Sequence, residues 1–536
     1  MKFMDNYLLF LTKEKVSIKI LYLTVVLIIA LFLRLYCMDS FSFSYDEASH
    51  LVDNRSIFSI APLDKFFDAG FTVKNHDFLK LYDHGFIYYW KKIAGDSERN
   101  LRFSSLIFSL LSIILVYKIG KKYFSEKAAC IAVALIAISP FHIYYAQELR
   151  PYAAIGFISL VAIYSFIKYL NQRKTSYLCI YIISSIANIY AHFVTITLTC
   201  AMVVYLLIGL KRYRRLISRL ILAHVLILAL TLPVWIIIAN NLKLFLLCNL
   251  DNFRIVEYPI WLEKVRPVHV FNTLKNMSIG YNLDYSSLTG KIAAIVYFFL
   301  FCFGIFKYRA KAEARILAMC FLVPLLLLFM ISQIKACYVD RYFFPGAIIY
   351  ILGAAIGLSK IKGKLLVFLL AAIIGINIMA LKNYYNNLYP DSLGINERFG
   401  ISEKTDIRPL VNYLASNYKS GDIILHTWKG NVFPLRYYVP IATNDAALEG
   451  ACNRGLVIDY DLASNEFFRL EYNTLHPYVN RMEKFHIEDV GGKLNRVWVI
   501  KFNKDDWLIE YLKNNNYEQM DDRIFNRNKL YYFIKK

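Results

Sequence analysis

Apolar residues recur along this chain in long blocks, alternate ones joined by short basic segments, and the block length is the first clue. A hydrocarbon layer about 30 Å thick takes roughly 20 residues of helix. Eleven such blocks are present, at about 16–37, 103–119, 128–141, 152–170, 177–191, 193–210, 217–239, 291–306, 316–332, 346–358 and 365–381. The pattern predicts a mainly α, polytopic bundle of about eleven helices. The third, fifth and tenth blocks are short and need flanking residues to complete a crossing.

After the last block the periodicity changes. "EKTDIRPLVNYLASNY" has helical spacing, "GDIILHTW" follows a Gly-Asp turn as a strand, and "RVWVIKF", "DDWLIEYLKNNN" and "KLYYFIKK" read strand, helix, strand. Residues 382–536 are therefore expected to form a soluble α/β domain behind a membrane domain spanning 1–381. No internal repeat, P-loop or GxGxxG interrupts either part, so no nucleotide-driven engine is expected.

Charge orients the bundle. With the N-terminus on the cytoplasmic side, the inner connections are "KEKVSIK", "KIGKKYFSEK", "NQRKTS", "KRYRRLISR", "KYRAKAEAR" and "SKIKGK", all basic, as the positive-inside rule requires. Two long loops, 38–102 and 240–290, and the C-terminal domain then lie outside, and the expected location is the plasma (inner) membrane. The first block is read as a helix that stays: it lacks a small-residue cleavage site and carries Arg34 near its end.

Composition fits this frame. Of 536 residues, 57% are hydrophobic and 16% aromatic, with a mean hydropathy of +0.41. The net charge of +22 sits in short clusters between apolar blocks instead of on one soluble face, which argues against nucleic acid as a partner. The nine cysteines have no metal-knuckle spacing, and no disulfide framework follows from them.

The polar residues at outer block ends carry the candidate chemistry. "FSFSYDEASH", 41–50, sets Asp46 and Glu47 about eight residues beyond the first crossing, where a partly desolvated carboxylate can accept a hydroxyl proton. "SPFHIYYAQELRPYA", 139–153, holds His142, Tyr145, Glu148 and Arg150; by itself the Glu-Arg pair also suits a helix entrance with Pro151 in its first turn. "KNHDFLKLYDHGFIYYW", 74–90, offers Lys80 and His84 to an anionic headgroup, or simply anchors at the interface. "CYVDRYFFPGAIIY", 337–350, delivers Arg341, a bidentate phosphate binder or a snorkelling anchor. His192 in "NIYAHFVTI" lies at another outer turn. All share one side of the membrane. Acids for proton abstraction, cations for phosphate and an apolar wall suit a lipid-linked phosphate substrate.

These residues resemble the polytopic GT-C glycosyltransferases, in the bacterial branch related to protein O-mannosyltransferases and aminoarabinose transferases. "YDEA" is similar to that family's first-loop acidic pair, residues 101–153 resemble its second-to-fourth-helix block, and "DIRPLVNYLASNYKSGDIILHTWKGNVFPLRYY" resembles its exported domain. The resemblance implies inverting transfer of a sugar from a polyprenyl-phosphate carrier to a glycan, lipid or protein hydroxyl, without a metal or other cofactor. It implies that Asp46 is the base or acceptor-positioning residue, supported by Glu47 and by Glu148 in "QELRPY". Arg150 follows with that motif. His84, Lys80 and Arg341 would meet the carrier phosphate, and His142, Tyr145 and His192 would lie within substrate reach. One departure stands out: Gly85 replaces the proline the family carries after the position of His84. Rival expectations are a lipid-linked glycan polymerase or ligase, a transporter or flippase of a lipid-linked sugar, and a sensor. A transporter would favour ionisable groups at mid-membrane, whereas here they cluster at outer helix ends.

Overall fold

The structure is a computed structural model that describes residues 2–52, 82–236, 238–239, 265–284, 287–334, 336–390, 401, 404–427, 429–442, 456–461, 466–471, 481–484, 496–502, 506–525 and 528–536. Lys80 lies outside these residues. The chain divides into two compact units. The first comprises Met1–Met38, Arg99–Trp235 and Trp261–Glu403; the second comprises Asp39–Glu98, Ile236–Ile260 and Lys404–Lys536.

The first unit is a helical bundle, and each of the eleven apolar blocks is helical in it. Among the described residues seven helices are long and apolar enough to cross a membrane: Ile18–Leu35 within α1 (Lys2–Leu35), and the helices Glu98–Tyr123, Tyr152–Gln172, Leu288–Lys307, Ala312–Ile334, Asp340–Lys360 and Gly363–Tyr385. A pair of helices, Glu126–Ala137 and Pro140–Ala146, bent by 60°, is long and apolar enough only when taken together. The blocks at 177–191, 193–210 and 217–239 form the shorter helices Thr175–Ala191, Phe193–Ile208 and Ile217–Leu230. This is an integral membrane protein. Isoleucine, leucine, valine and phenylalanine side chains exposed along these helices, such as Phe299, Val367 and Phe368, are the lipid-facing surface that such a bundle presents.

Backbone contact between two crossings depends on missing side chains. Leu288–Lys307 and the helix Phe344–Lys360 meet through Gly304, Gly353 and Gly357. A Cβ placed on Gly357 would lie 2.1 Å from the Leu300 carbonyl oxygen, and one on Gly304 would lie 2.3 Å from that of Gly353. Gly353 and Gly357 are four apart on one helix face, the small-xxx-small spacing that lets membrane helices approach closely.

The bend between Glu126–Ala137 and Pro140–Ala146 has a local cause. Pro140 lacks an N–H and starts a new helix capped by Ser139, whose Oγ accepts from the His142 N–H at 3.3 Å. The break leaves carbonyls at the end of the first helix without intrahelical donors. Arg34, fully buried on α1, donates to Ala137 O at 2.9 Å and Ile136 O at 3.1 Å. It also reaches Ala30 O, Ser109 Oγ and His142 Nδ1. A cation is thus placed where a helix C-terminus is electronegative.

The second unit contains a seven-stranded sheet: β1 (Ile423–His426), β2 (Leu456–Asp461), β3 (Glu466–Glu471), β4 (Arg481–Lys484), β5 (Arg496–Phe502), β6 (Tyr517–Phe525) and β7 (Asn528–Lys535), in the order β4-β3-β2-β1-β5-β7-β6. β1 pairs in parallel with β2 and β5, and the remaining pairs are antiparallel. The helix Trp507–Asn514 turns Leu508, Ile509 and Leu512 onto Leu425, Val499 and Phe533. The expected strands at 422–428, 496–502 and 529–536 and the helix near 506 are present. β2, β3, β4, β6 and the helix Val432–Ala442 are additions to that expectation. The 39–52 segment groups with this sheet, and it carries Asp46.

Candidate functional site

Within the second unit, Asp46 and Glu47 stand in the first turn of α2 (Tyr45–Val52), where carboxylates complement the positive end of the helix dipole. Their surroundings separate them. Glu47 is 2% exposed and closes a capping box: its Oε2 accepts from the Ser44 N–H at 2.9 Å while Ser44 Oγ receives the Glu47 N–H at 3.4 Å. Asp46, half-buried, stands outside that capping pair. His50 lies one turn further along, and its Nδ1 pairs with the Asp83 carboxylate. Asp83 and His84 are both buried on a π-helical turn, Tyr82–Ile87, a backbone irregularity common at functional positions. The structure therefore brings Asp46, Glu47 and His84 into one unit and adds His50 and Asp83, which the sequence reading did not select.

The first unit holds the other candidates in an aromatic setting. Tyr145 shares a hydrogen bond with Tyr281 at 2.8 Å and packs edge-on against Tyr152 and Phe344. Tyr144 hydrogen-bonds the half-buried Glu148, whose charge also acts on Tyr145 and Tyr384. Arg150 lies over the Tyr152 ring at 5.6 Å and donates to its hydroxyl at 3.3 Å. His192 packs on Tyr152 and Tyr342, while the charge of Arg341 reaches Tyr145. Tyr145, Glu148, Arg150, His192 and Arg341 thus converge on a few shared rings. His142 sits deeper, 1% exposed, and accepts from Arg34 at 3.1 Å. An arginine only donates, so this contact assigns the lone pair to Nδ1.

Gln147 ties the loop to the bundle. Its Nε2 donates to Arg34 O and Tyr36 O, and its Oε1 accepts from Tyr384 at 2.6 Å. The turn carrying Arg341 is held by its neighbour: buried Asp340 accepts from Thr273 and Asn276, each at 2.5 Å. These bonds fix the backbone beside Arg341 without drawing on its guanidinium.

Lys275 is a buried cation that the sequence reading passed over, because a lone lysine in a long loop has no distinguishing spacing. It lies on the helix Pro267–Ile279, 2% exposed, and donates to Leu283 O at 2.6 Å. Burial pushes its ammonium down to about 7 from 10.5, against the opposing pull of Asp340 and Asp284. Between those values the folded chain holds Lys275 neutral while the unfolded chain keeps the proton, so stability rises with pH over this window. Below about 7 both states are protonated and the contribution is flat at its lowest. Lys275→Met is expected to flatten the rise in thermal midpoint between about pH 7 and pH 9, read by unfolding of the solubilised protein.

Among the described residues, no group of three or more His, Cys, Asp or Glu side chains is arranged to hold a metal ion.

Residues 86–237 match the family model described as dolichyl-phosphate-mannose-protein mannosyltransferase. The crystal structure of ArnT from Cupriavidus metallidurans in the apo state superposes with a TM-score of 0.55 at 13% identity, covering 97% of this chain and 98% of that one. The chain has a GT-C-like fold. ArnT from the same organism bound to undecaprenyl phosphate is similar to this chain at a TM-score of 0.54 and 11% identity, with 96% and 97% covered. An oligosaccharyltransferase from Archaeoglobus fulgidus reaches 0.50 at 13% identity, with 91% and 80% covered. No curated protein sequence matches the chain. The similarity to ArnT takes in both units, so the sheet is part of the shared fold.

Proposed function

We propose that this chain transfers a sugar from a polyprenyl-phosphate carrier to a hydroxyl-bearing lipid, glycan or protein on the outer face of the plasma membrane. The observation that carries the reading is the near full-length similarity to an ArnT structure that binds undecaprenyl phosphate. The basic inner connections support a cytoplasmic N-terminus and an exported C-terminal domain.

In this reading the acceptor hydroxyl gives its proton to the Asp46 carboxylate as its oxygen bonds to the anomeric carbon. The bond from that carbon to the phosphate oxygen breaks, and the electron pair leaves with the carrier phosphate. Attack opposite the leaving group inverts the anomeric centre. A phosphate leaving group needs a cation more than a proton, and Arg341 is assigned to it, with Arg150 and His84 as further phosphate contacts. Glu148 orients the acceptor, and the tyrosine rings around Tyr145 give a sugar flat, amphipathic faces on which to stack. His192, packed on two of those rings, completes the contact surface, and Glu47 supports Asp46 by holding the helix start. A small cleft lined by Met277, Phe321, Pro324, Tyr342 and Gly346 offers apolar surface for part of the carrier chain.

Arg341→Ala tests the phosphate assignment. Affinity for radiolabelled undecaprenyl phosphate is expected to fall about 10- to 100-fold, the worth of a charge-assisted hydrogen bond. Unchanged binding would leave Arg341 as an anchor of its helix.

A further inference from the structure

The C-terminal domain has no chemistry assigned to it, yet it holds the backbone that leads into α2. Arg408, at the start of the helix Arg408–Asn417, donates from Nη1 and Nη2 to Asp39 O, both at 3.3 Å, and from Nη2 to Ser40 O at 3.2 Å. Its own guanidinium is oriented by Asp406, at 2.7 Å from Nε and 3.0 Å from Nη2. Three residues on, Ser42 donates to Thr405 O at 2.9 Å and accepts from the Ile407 N–H at 3.0 Å. The next N–H, that of Phe43, is buried and donates to the Tyr438 hydroxyl at 2.8 Å. Tyr438 in turn donates to Glu98 Oε1 at 2.7 Å, and the same oxygen receives Arg408 at 3.2 Å.

The result is a closed circuit from Asp39 to Phe43, ending one residue before the Ser44 cap and three before Asp46. Aromatic packing extends it: Tyr437 meets the Phe43 ring at 5.2 Å, and Phe433 meets Tyr45 at 5.0 Å. Irregular chain has two soft dihedrals per residue, so a carboxylate on the first turn of an eight-residue helix is only as well placed as the segment before it. Here that segment takes its position from side chains nearly 400 residues away in sequence.

We propose that Arg408 and Tyr438 are positioning residues for Asp46, through which the C-terminal domain sets the carboxylate for reaction. The inference rests on Asp46 being the reacting acid. A positioning duty of this kind acts on turnover and leaves affinity for the carrier alone.

The test uses the full chain in lipid nanodiscs, with Tyr438→Phe, Arg408→Ala and Arg408→Lys. Tyr438→Phe keeps the ring and removes only the hydroxyl; Arg408→Lys keeps the charge but not the fork that spans two carbonyls and two carboxylates. Turnover is measured with the lipid-linked sugar pool extracted from the producing cell's membranes, carrier affinity with radiolabelled undecaprenyl phosphate, and local order by amide hydrogen exchange over 41–52. Tyr438→Phe and Arg408→Ala are expected to lower turnover about 10- to 100-fold, as small misplacements of a reacting group do. Carrier affinity is expected to stay within about twofold, exchange over 41–52 to rise at least about tenfold, and Arg408→Lys to fall between Arg408→Ala and the parent. A parallel Asp46→Asn variant separates the two ideas. If Asp46→Asn is inactive while Tyr438→Phe and Arg408→Ala turn over normally, the positioning role is overturned and the acid assignment survives. If Asp46→Asn turns over normally, the acid assignment fails and takes the positioning role with it. Loss of turnover with exchange over 41–52 unchanged would also overturn the inference.

Discussion

Asp46→Asn is expected to yield a folded membrane protein whose transfer rate from a polyprenyl-phosphate sugar falls by at least about a hundredfold, the lower end of what a positioned base contributes. The substitution is isosteric and removes only the capacity to take a proton. The structure isolates this residue well, because the cap that starts α2 is made by Ser44 and Glu47. Loss of Asp46 charge from a first turn costs no more than about 1 kcal/mol of helix-dipole energy, too little to unfold the segment. Turnover with native lipid-linked sugars, alongside a thermal midpoint close to that of the parent, is the measurement. Full turnover in Asp46→Asn would remove the base from the mechanism, and a collapse of the midpoint would make the residue structural.

Glu47 is the internal control for that experiment. Two adjacent carboxylates invite a shared catalytic role, but Glu47 has its oxygen on the Ser44 N–H and is almost fully buried. Glu47→Gln keeps an acceptor at that place, and this explains why a carboxylate pair at a helix start need not be a catalytic pair. The signature was present in the sequence as Ser44-x-x-Glu47, the spacing of a capping box, and it separates the two acids before any coordinates are seen.

What could be read along the chain follows range. Each apolar block became a helix because spanning length and apolarity are local properties, and the switch to strand, helix, strand after residue 400 was legible for the same reason. Pairings across long separations were not. Arg34 near a helix end is consistent with snorkelling, and only the break at Pro140, over 100 residues away, explains why it is buried. Lys275 carries no motif, and its burial follows from Asp340 and Leu283, which approach only in the folded chain. Arg408 and Tyr438 sit in a stretch recognised as domain-like, but their partners at 39–43 depend on tertiary pairing that no spacing encodes. The π-helical turn at Tyr82–Ile87 likewise was not legible in the stretch expected to meet headgroups, and it carries Asp83 inward to His50.

Arg34→Met should be the most destabilising single change in the bundle. The guanidinium serves five acceptors: Ala30 O, Ile136 O, Ala137 O, Ser109 Oγ and His142 Nδ1. Methionine relieves the cost of burying a cation and suits a helix, but it takes the guanidinium donors from Ala137 O, Ile136 O and the imidazole. Ile136 O keeps the Ser139 N–H at 3.3 Å and His142 Nδ1 keeps the Ser109 hydroxyl at 3.1 Å, so the loss falls mainly on Ala137 O. With one acceptor left to lose its donor outright and two weakened, the net loss is about 2 kcal/mol, which lowers the thermal midpoint of the solubilised protein by a few degrees. Arg34→Lys is expected to recover only part of it, since one ammonium cannot reach acceptors on both sides of the break. The effect also reaches the site. Pro140–Ala146 carries Tyr144 and Tyr145 and leads directly to Glu148, while Gln147 hangs from the Arg34 and Tyr36 carbonyls. If Arg34 holds the bend, turnover in Arg34→Met falls even below the melting range, with Arg34→Lys between it and the parent; a variant that melts early yet turns over normally when cold would show that the bend is set by Pro140 alone.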